Sequence, residues 1–173
     1  MNNVLVNEED NSTWPGFLID LDLAIREKRL KSSGALDKTG TKVFMAIGAL
    51  AGETHSFMHD LESFFWVLFW ICIHYTGPKG ANRVVPRFEN WNFLTVEELA
   101  IMKQGTISNE ELFLRTMIAS VTPYFQPLIP YIEELRTIVF PNNGKWRIED
   151  ENLYERMRDV LRKAMLDPEV RAG

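Results

Sequence analysis

Two short apolar runs open the chain, Val4-Leu5-Val6 and Phe17-Leu18-Ile19. Between them residues 7–15 are polar and lead into Trp14-Pro15-Gly16, a turn signal. Two apolar triplets around such a segment predict an antiparallel hairpin with a long loop. Residues 26–42 are charged, carry Gly34 and Gly40, and show no apolar period, so they read as a mobile loop. Val43-Phe44-Met45-Ala46 then returns the chain to a core. The densest apolar run, Phe64 to Ile73, predicts a helix from about Asp60 to Tyr75, within 58–76, stopped by Gly77-Pro78.

Beyond it the pattern is irregular over 79–94 and then helical. Thr95-x-x-Glu98 is a capping box and opens a short helix ending near Gly105. Ser108-x-x-Glu111 reads as a second box, opening a helix to about Val121. Pro130 suits the first turn of a helix running to about Phe140. Pro141-Asn142-Asn143-Gly144 is a loop. The last helix spans about 151–166, with Leu153, Met157, Val160, Leu161 and Ala164 on one face. The expected architecture is mainly α, with one or two short hairpins. No internal repeat and no domain linker is visible, and 173 residues suit one domain.

Composition changes this picture little. Hydrophobic content of 46% and aromatic content of 12% require a packed core rather than disorder. A net charge of -5 gives no basis for a nucleic-acid surface. Ten apolar residues from Phe64 to Ile73 cover about 15 Å as a helix, half a bilayer core, so a buried helix is expected and no membrane span. No signal peptide is visible after Met1, and the single Cys72 excludes an internal disulfide, so an intracellular location, cytoplasm or nucleus, is expected. Cys72 itself reads as buried and inert.

The candidate chemistry is concentrated near the start. Asp20 and Asp22 follow the second apolar run, where a carboxylate can hold a cation or simply end a strand. Two carboxylates so close repel unless a cation is shared. His55 and His59 are four apart, yet no third ligand follows the zinc pattern, so they read as structural histidines at a helix start. Ser32, Ser33, Thr39 and Thr41 lie near Arg26, Lys28, Arg29, Lys31 and Lys38, where a phosphate would find cations; a solvated loop is the simpler reading. Phe64, Phe65, Trp66, Phe69 and Trp70 exceed one helix face and fit a helix buried all round.

Three blocks in order carry a resemblance. They are Leu18-Ile19-Asp20-Leu21-Asp22-Leu23-Ala24, then Gly40-Thr41-Lys42-Val43-Phe44-Met45-Ala46, then His55-Ser56-Phe57-Met58-His59-Asp60-Leu61-Glu62-Ser63-Phe64-Phe65-Trp66-Val67-Leu68-Phe69-Trp70-Ile71. Together they resemble the C-terminal lobe of the fungal-type protein kinase family. The resemblance implies the helical lobe of a protein-kinase-like fold. It divides the chain into a catalytic-loop end and metal hairpin (1–24), an activation segment (25–50), a central helix (58–76) and a helical subdomain (95–166). Asp20 corresponds to the aspartate of the D-F-G motif, with Leu21 and Asp22 replacing the other two residues, and Asn3 to the asparagine ending the catalytic loop. Both are metal residues for magnesium and ATP.

Thr39 and Thr41 fall in the activation segment, and Asp60 resembles the structural aspartate at the start of the central helix. Ala46-Ile47-Gly48 stands at the A-P-E position, where Gly48 removes the carboxylate that pairs with a buried arginine. Counting five residues back from Asn3 passes Met1. The catalytic aspartate is therefore expected to be absent, as are the glycine-rich loop and phosphate-pairing lysine of the missing N-lobe. The expected function is part of an ATP-dependent Ser/Thr protein kinase domain, inactive as this isolated chain, with weak or no binding of magnesium and ATP. A non-catalytic kinase-like binding module or a helical interaction domain is the alternative. No catalytic residue is assigned, and the protein substrate or partner is left open.

Overall fold

The computed structural model describes residues 4–6, 16–18, 41–77, 80 and 82–172. The chain divides into two units, Met1–Asp37 and Lys38–Gly173. In the first, β1 (Val4–Val6) pairs antiparallel with β2 (Gly16–Leu18), with Val4 opposite Leu18 and Val6 opposite Gly16. The expected hairpin forms, its second strand one residue earlier than predicted.

The second unit is helical. A 3-10 turn at Lys42–Phe44 leads to α1 (Ile47–Leu50) and then α2 (Phe57–His74). After α3 (Pro86–Glu89) and a 3-10 turn at Asn90–Asn92 come α4 (Val96–Ile107) and α5 (Glu110–Ser120). A 3-10 segment, Pro123–Leu128, joins α5 to α6 (Ile129–Val139), and α7 (Leu153–Leu166) and α8 (Pro168–Arg171) close the chain. The chain is mainly helical, as expected. Within this unit α2 is the axis: α1, α6, α7 and the Lys42–Phe44 turn all pack on it.

Helix α2 begins three residues before the predicted Asp60 because Ser56 caps it. Ser56 Oγ accepts the amide of Met58 at 3.3 Å, and His59 Nδ1 accepts the amide of Ser56 at 3.0 Å. Histidine here takes the place that glutamate or glutamine usually holds in a capping box. Further along, Phe65, Trp66 and Phe69 are fully buried, while Phe64 is exposed and Trp70 half-buried against Phe44 and His74. The helix is therefore buried on most sides but not all round. Its aromatic face meets Phe88, Trp91, Phe113 and Phe140 in edge-on, tilted and stacked contacts, with Trp91 lying parallel to Phe69 at 6.0 Å. Such pairs add about 0.5–1.5 kcal/mol each beyond area burial.

The C-terminal end of α2 leaves carbonyls without helical partners, and the fold supplies them. The Thr122 amide donates to Cys72 O at 3.0 Å, Thr122 Oγ1 to Tyr75 O at 2.7 Å, and the Arg83 amide to His74 O at 2.6 Å. The chain can then turn at Gly77, whose φ of 139° requires glycine and whose Cα faces the Tyr124 ring.

Later boundaries shift by small amounts with clear causes. The Thr95–Glu98 box forms as expected, but α4 runs on to Ile107, past Gly105. Asn109, not Ser108, caps α5: its Oδ1 accepts the Leu112 amide at 2.9 Å, while Ser108 Oγ turns back to Gly105 O. On α7, Leu153, Met157, Val160 and Ala164 are buried, but Leu161 is 42% exposed and does not share their face.

Replacing Thr122 by valine keeps the amide and shape but removes the hydroxyl that covers Tyr75 O. The expected loss is about 1–2 kcal/mol, read as a lower urea midpoint at unchanged slope. An unchanged midpoint would remove this cap from the account of α2.

Candidate functional site

Segment 41–53 and the N-terminal half of α2 bring together three buried polar side chains of the helical unit: His59, Glu62 and, reaching in from α4, Lys103. Thr41 is exposed and precedes the turn at Lys42–Phe44. From there the chain descends: Val43 and Ala46 are buried, and Phe44 and Met45 pack against the core. Three polar contacts hold it down. Lys42 Nζ donates to Leu94 O, and Lys103 Nζ donates to Met45 O at 2.5 Å. The Ile47 amide, orphaned at the start of α1, donates to Glu62 Oε1 at 2.7 Å.

Glu62 and Lys103 are both fully buried. Glu62 Oε1 also accepts Trp66 Nε1 at 2.9 Å, while its Oε2 is buried without a hydrogen-bond partner among the described residues. Lys103 Nζ lies 4.4 Å from the centre of the Trp66 ring and 5.9 Å from that of Trp91, over aromatic faces that attract a cation. Burial pushes the Glu62 carboxyl up, countered by its two hydrogen bonds and the charge of Lys103. Burial likewise pushes the Lys103 ammonium well down, countered by Glu62. Removing one member of a buried charge pair typically costs about 3–5 kcal/mol, because the other is left uncompensated.

A second cluster sits at the start of α2. The His59 ring is buried; its Nδ1 serves the cap, so its Nε2 carries the proton when neutral, 3.7 Å from Glu53 Oε2. Glu53 in turn pairs with Lys145, and Trp146 lies 5.1 Å from the His59 ring. Gly48 packs directly onto this cluster. A Cβ there would lie 2.4 Å from Glu53 Oε2 and 2.5 Å from His59 Nε2. The position that lacks a glutamate by comparison with A-P-E thus has no room for a larger side chain while Glu53 faces His59.

A buried arginine does exist. Arg136 on α6 donates to both Glu133 oxygens, to Ile107 O at 2.9 Å and to Asn143 Oδ1 at 2.7 Å, with Phe113 beneath its guanidinium. It ties α6 to the end of α4 and to the loop at 141–144, and its carboxylate partner comes from its own helix.

Of the residues singled out from sequence, Asn3, Asp20, Asp22, Ser32, Ser33 and Thr39 lie outside the described residues. Asn3 is one residue before β1 and Asp20 two after β2, next along the chain to the paired Val4 and Leu18. Asp60 is exposed in the first turn of α2 and bonds His55 Nε2 at 3.0 Å. His55 and His59 are thus separated in role, one on the surface and one in the cap. Among the described residues no group of three or more His, Cys, Asp or Glu side chains is arranged to hold a metal ion. Cys72 is buried, and burial pushes its thiol up to about 12, so it stays protonated and unreactive. No helix of the described residues is long and apolar enough to cross a membrane.

Sequence reasoning missed Glu62, Lys103 and Arg136. Their spacing carried a signal: Lys103 is four residues from both Leu99 and Ile107, and Arg136 four from Ile132 and three from Val139, all buried.

The fungal protein kinase family model matches residues 1–72 of this chain. That is the family the three sequence blocks resemble, and every block lies inside the match, which ends at Cys72 within α2. Over those residues the chain is similar to that family. Neither a curated protein nor a solved structure matches it.

Burial, and then the neighbouring charge of His55, lowers the His59 pKa from its ordinary 6.5, with Asp60 and Glu149 opposing. Folded His59 therefore holds fewer protons than unfolded His59 in the interval below 6.5. Its contribution is complete above that value and is lost as pH falls toward the folded-state pKa. His59→Gln keeps an acceptor for the Ser56 amide without titrating. Between pH 7.5 and 5.5 the variant is expected to lose less stability than the parent; parallel urea-midpoint curves would refute this.

Proposed function

We propose that this chain is the C-terminal lobe of a fungal-type Ser/Thr protein kinase domain. The observation that carries the reading is the family match over 1–72, which takes in the hairpin, segment 41–53 and most of α2. The order of elements supports it: a short hairpin, a docked segment, and a central helix on which later helices pack.

In this reading Asp20 and Asn3 hold magnesium against the phosphates of ATP. The donor chemistry fits: a carboxylate and an amide oxygen are hard oxygen ligands of the kind magnesium takes. The register of the hairpin supports it, since Val4 pairs with Leu18 and the two donors lie one and two residues beyond that pair. When bound, the ion offsets charge on the transferring phosphoryl group. Residues 41–50, held by Glu62 and Lys103 at Ile47 and Met45, are the end of the activation segment of 25–50, which carries Thr39 and Thr41. Its anchor is a core carboxylate that grips backbone, in place of the glutamate–arginine pair for which Gly48 leaves no side chain.

Phosphoryl transfer also needs a phosphate clamp and a base that orients the nucleophile. These 173 residues contain no His-Arg-Asp triplet and no Gly-x-Gly-x-x-Gly run. On their own they are proposed to be inactive, with weak or no affinity for magnesium and ATP, and a complementary lobe is the implied partner for turnover. The buried, unreactive Cys72 is in keeping with an intracellular setting.

The purified chain is expected to show no phosphoryl transfer from ATP to a generic protein substrate in magnesium. Metal-dependent transfer that Asp20→Ala abolishes would overturn the non-catalytic reading and strengthen the kinase one. A thermal-shift titration with Mg-ATP separates the alternatives further. A weak shift lost in Asp20→Ala supports the kinase lobe; a shift unaffected by Asp20→Ala would count against Asp20 as the metal residue.

A further inference from the structure

Helices α3, α4 and α5 border an open surface cleft of about 400 Å³ on the helical unit, distant in the chain from Asp20 and from segment 41–53. Two arginines are among the residues that line it, Arg87 from α3 and Arg115 from α5, together with Thr106, Thr116 and Ser120. No Asp or Glu is among its lining residues. In a chain of net charge -5 that is a local reversal of sign.

The two arginines stand apart from the four described arginines that hold carboxylates. Arg136, Arg156, Arg158 and Arg162 each pair with a carboxylate. Arg87 and Arg115 form no ion pair among the described residues, although Glu111 lies one turn before Arg115 on the same helix. Arg87 is nevertheless held in place: its Nη1 reaches Thr116 Oγ1 at 3.5 Å and its guanidinium lies 5.4 Å from the Phe88 ring centre. A guanidinium that is oriented but has no carboxylate has spare donors, and it loses less freedom when an anion arrives. Thr106 is already engaged with Met102 O, which leaves Thr116 and Ser120 as the nearer hydroxyls. Leu112, 55% exposed, supplies an apolar wall at the same cleft.

The geometry points to a binding site for a phosphorylated peptide segment, its phosphate between Arg87 and Arg115 and its neighbouring residue against Leu112. A phosphate dianion offers three strong acceptor oxygens, enough for two guanidinium forks and a hydroxyl. The cleft exceeds what a bare phosphate fills and lies in the size range of small-ligand pockets. The Leu112 wall favours a peptide over free phosphate. This site uses no nucleotide and no metal, so it stands or falls apart from the kinase reading.

The test is fluorescence anisotropy of the full chain with nonamer libraries centred on phosphoserine or phosphothreonine, against the unphosphorylated libraries. Phosphorylated peptides are expected to bind, with affinity falling as salt rises. Arg87→Ala and Arg115→Ala should each weaken binding about tenfold or more, and Arg87→Lys less than Arg87→Ala. Leu112→Ser should weaken peptide binding while leaving competition by inorganic phosphate unchanged. Circular dichroism and melting temperature check that the variants fold; for any that does not, the charge-keeping Arg115→Lys and Arg87→Lys variants carry the comparison. Equal binding of unphosphorylated peptides, no binding of either library, or binding insensitive to both arginines would overturn the proposal. Inorganic phosphate competing as strongly as the peptide would assign a small-anion site instead. Arginine-dependent binding to phosphatidylserine vesicles without peptide binding would assign a membrane surface.

Discussion

The helical unit is organised around a carboxylate that has been taken out of water. Glu62 sits on the core face of α2, and an ionised group there is costly unless its neighbours compensate. Compensation comes from three directions. Trp66 donates from the same helix, the Ile47 amide donates from the docked segment, and Lys103 brings a positive charge from α4. Lys103 in turn rests on aromatic faces and on the Met45 carbonyl. One buried charge thereby links α2, α4 and segment 41–53. None of those three can move far without leaving a charge or an amide unsatisfied.

The ends of α2 are fixed by equally specific means. At its start His59 closes a capping box and faces Glu53; at its end Thr122 and Arg83 cover carbonyls that the helix cannot. Between the two ends the aromatic face supplies most of the apolar burial. Polar groups at the ends and near the middle fix where that face sits, and so which loops lie against it. Segment 41–53 is the loop that gains most from this, and it is the one that the kinase reading makes functional.

Much of this was legible in the sequence, for reasons that differ by element. The hairpin showed because apolar triplets flank a Pro-Gly turn. The α4 start showed because Thr95 and Glu98 form an ordinary capping box. The α5 start was misplaced by one residue because Ser108 and Asn109 are both good caps, and the continuation of α4 to Ile107 committed Ser108 to the preceding turn. The Ser56 cap was hidden by a histidine in the glutamate position. Leu161 was assigned to the core face of α7 because it is apolar; it follows Val160 directly and so turns toward solvent. The buried charges were missed because charge was read as surface, although their spacing from Leu99, Ile107 and Ile132 placed them inside. At the candidate site, motif order pointed to the segment, while Asn3 and Asp20 lie outside the described residues. What holds the segment was not legible, because its contacts join residues fifteen and fifty-eight positions apart.

Native-state hydrogen exchange at the Ile47 amide on the full chain tests this account most directly. Ile47 is the first residue of a four-residue helix, so no helical carbonyl protects its N–H, and Glu62 Oε1 is its acceptor. Its exchange should be as slow as that of the α2 core amides from Phe65 to Ile73, and should become fast in Glu62→Ala while α2 stays protected. Fast exchange at Ile47 in the parent chain, alongside a protected α2, would contradict the claim that a buried carboxylate holds the segment in place.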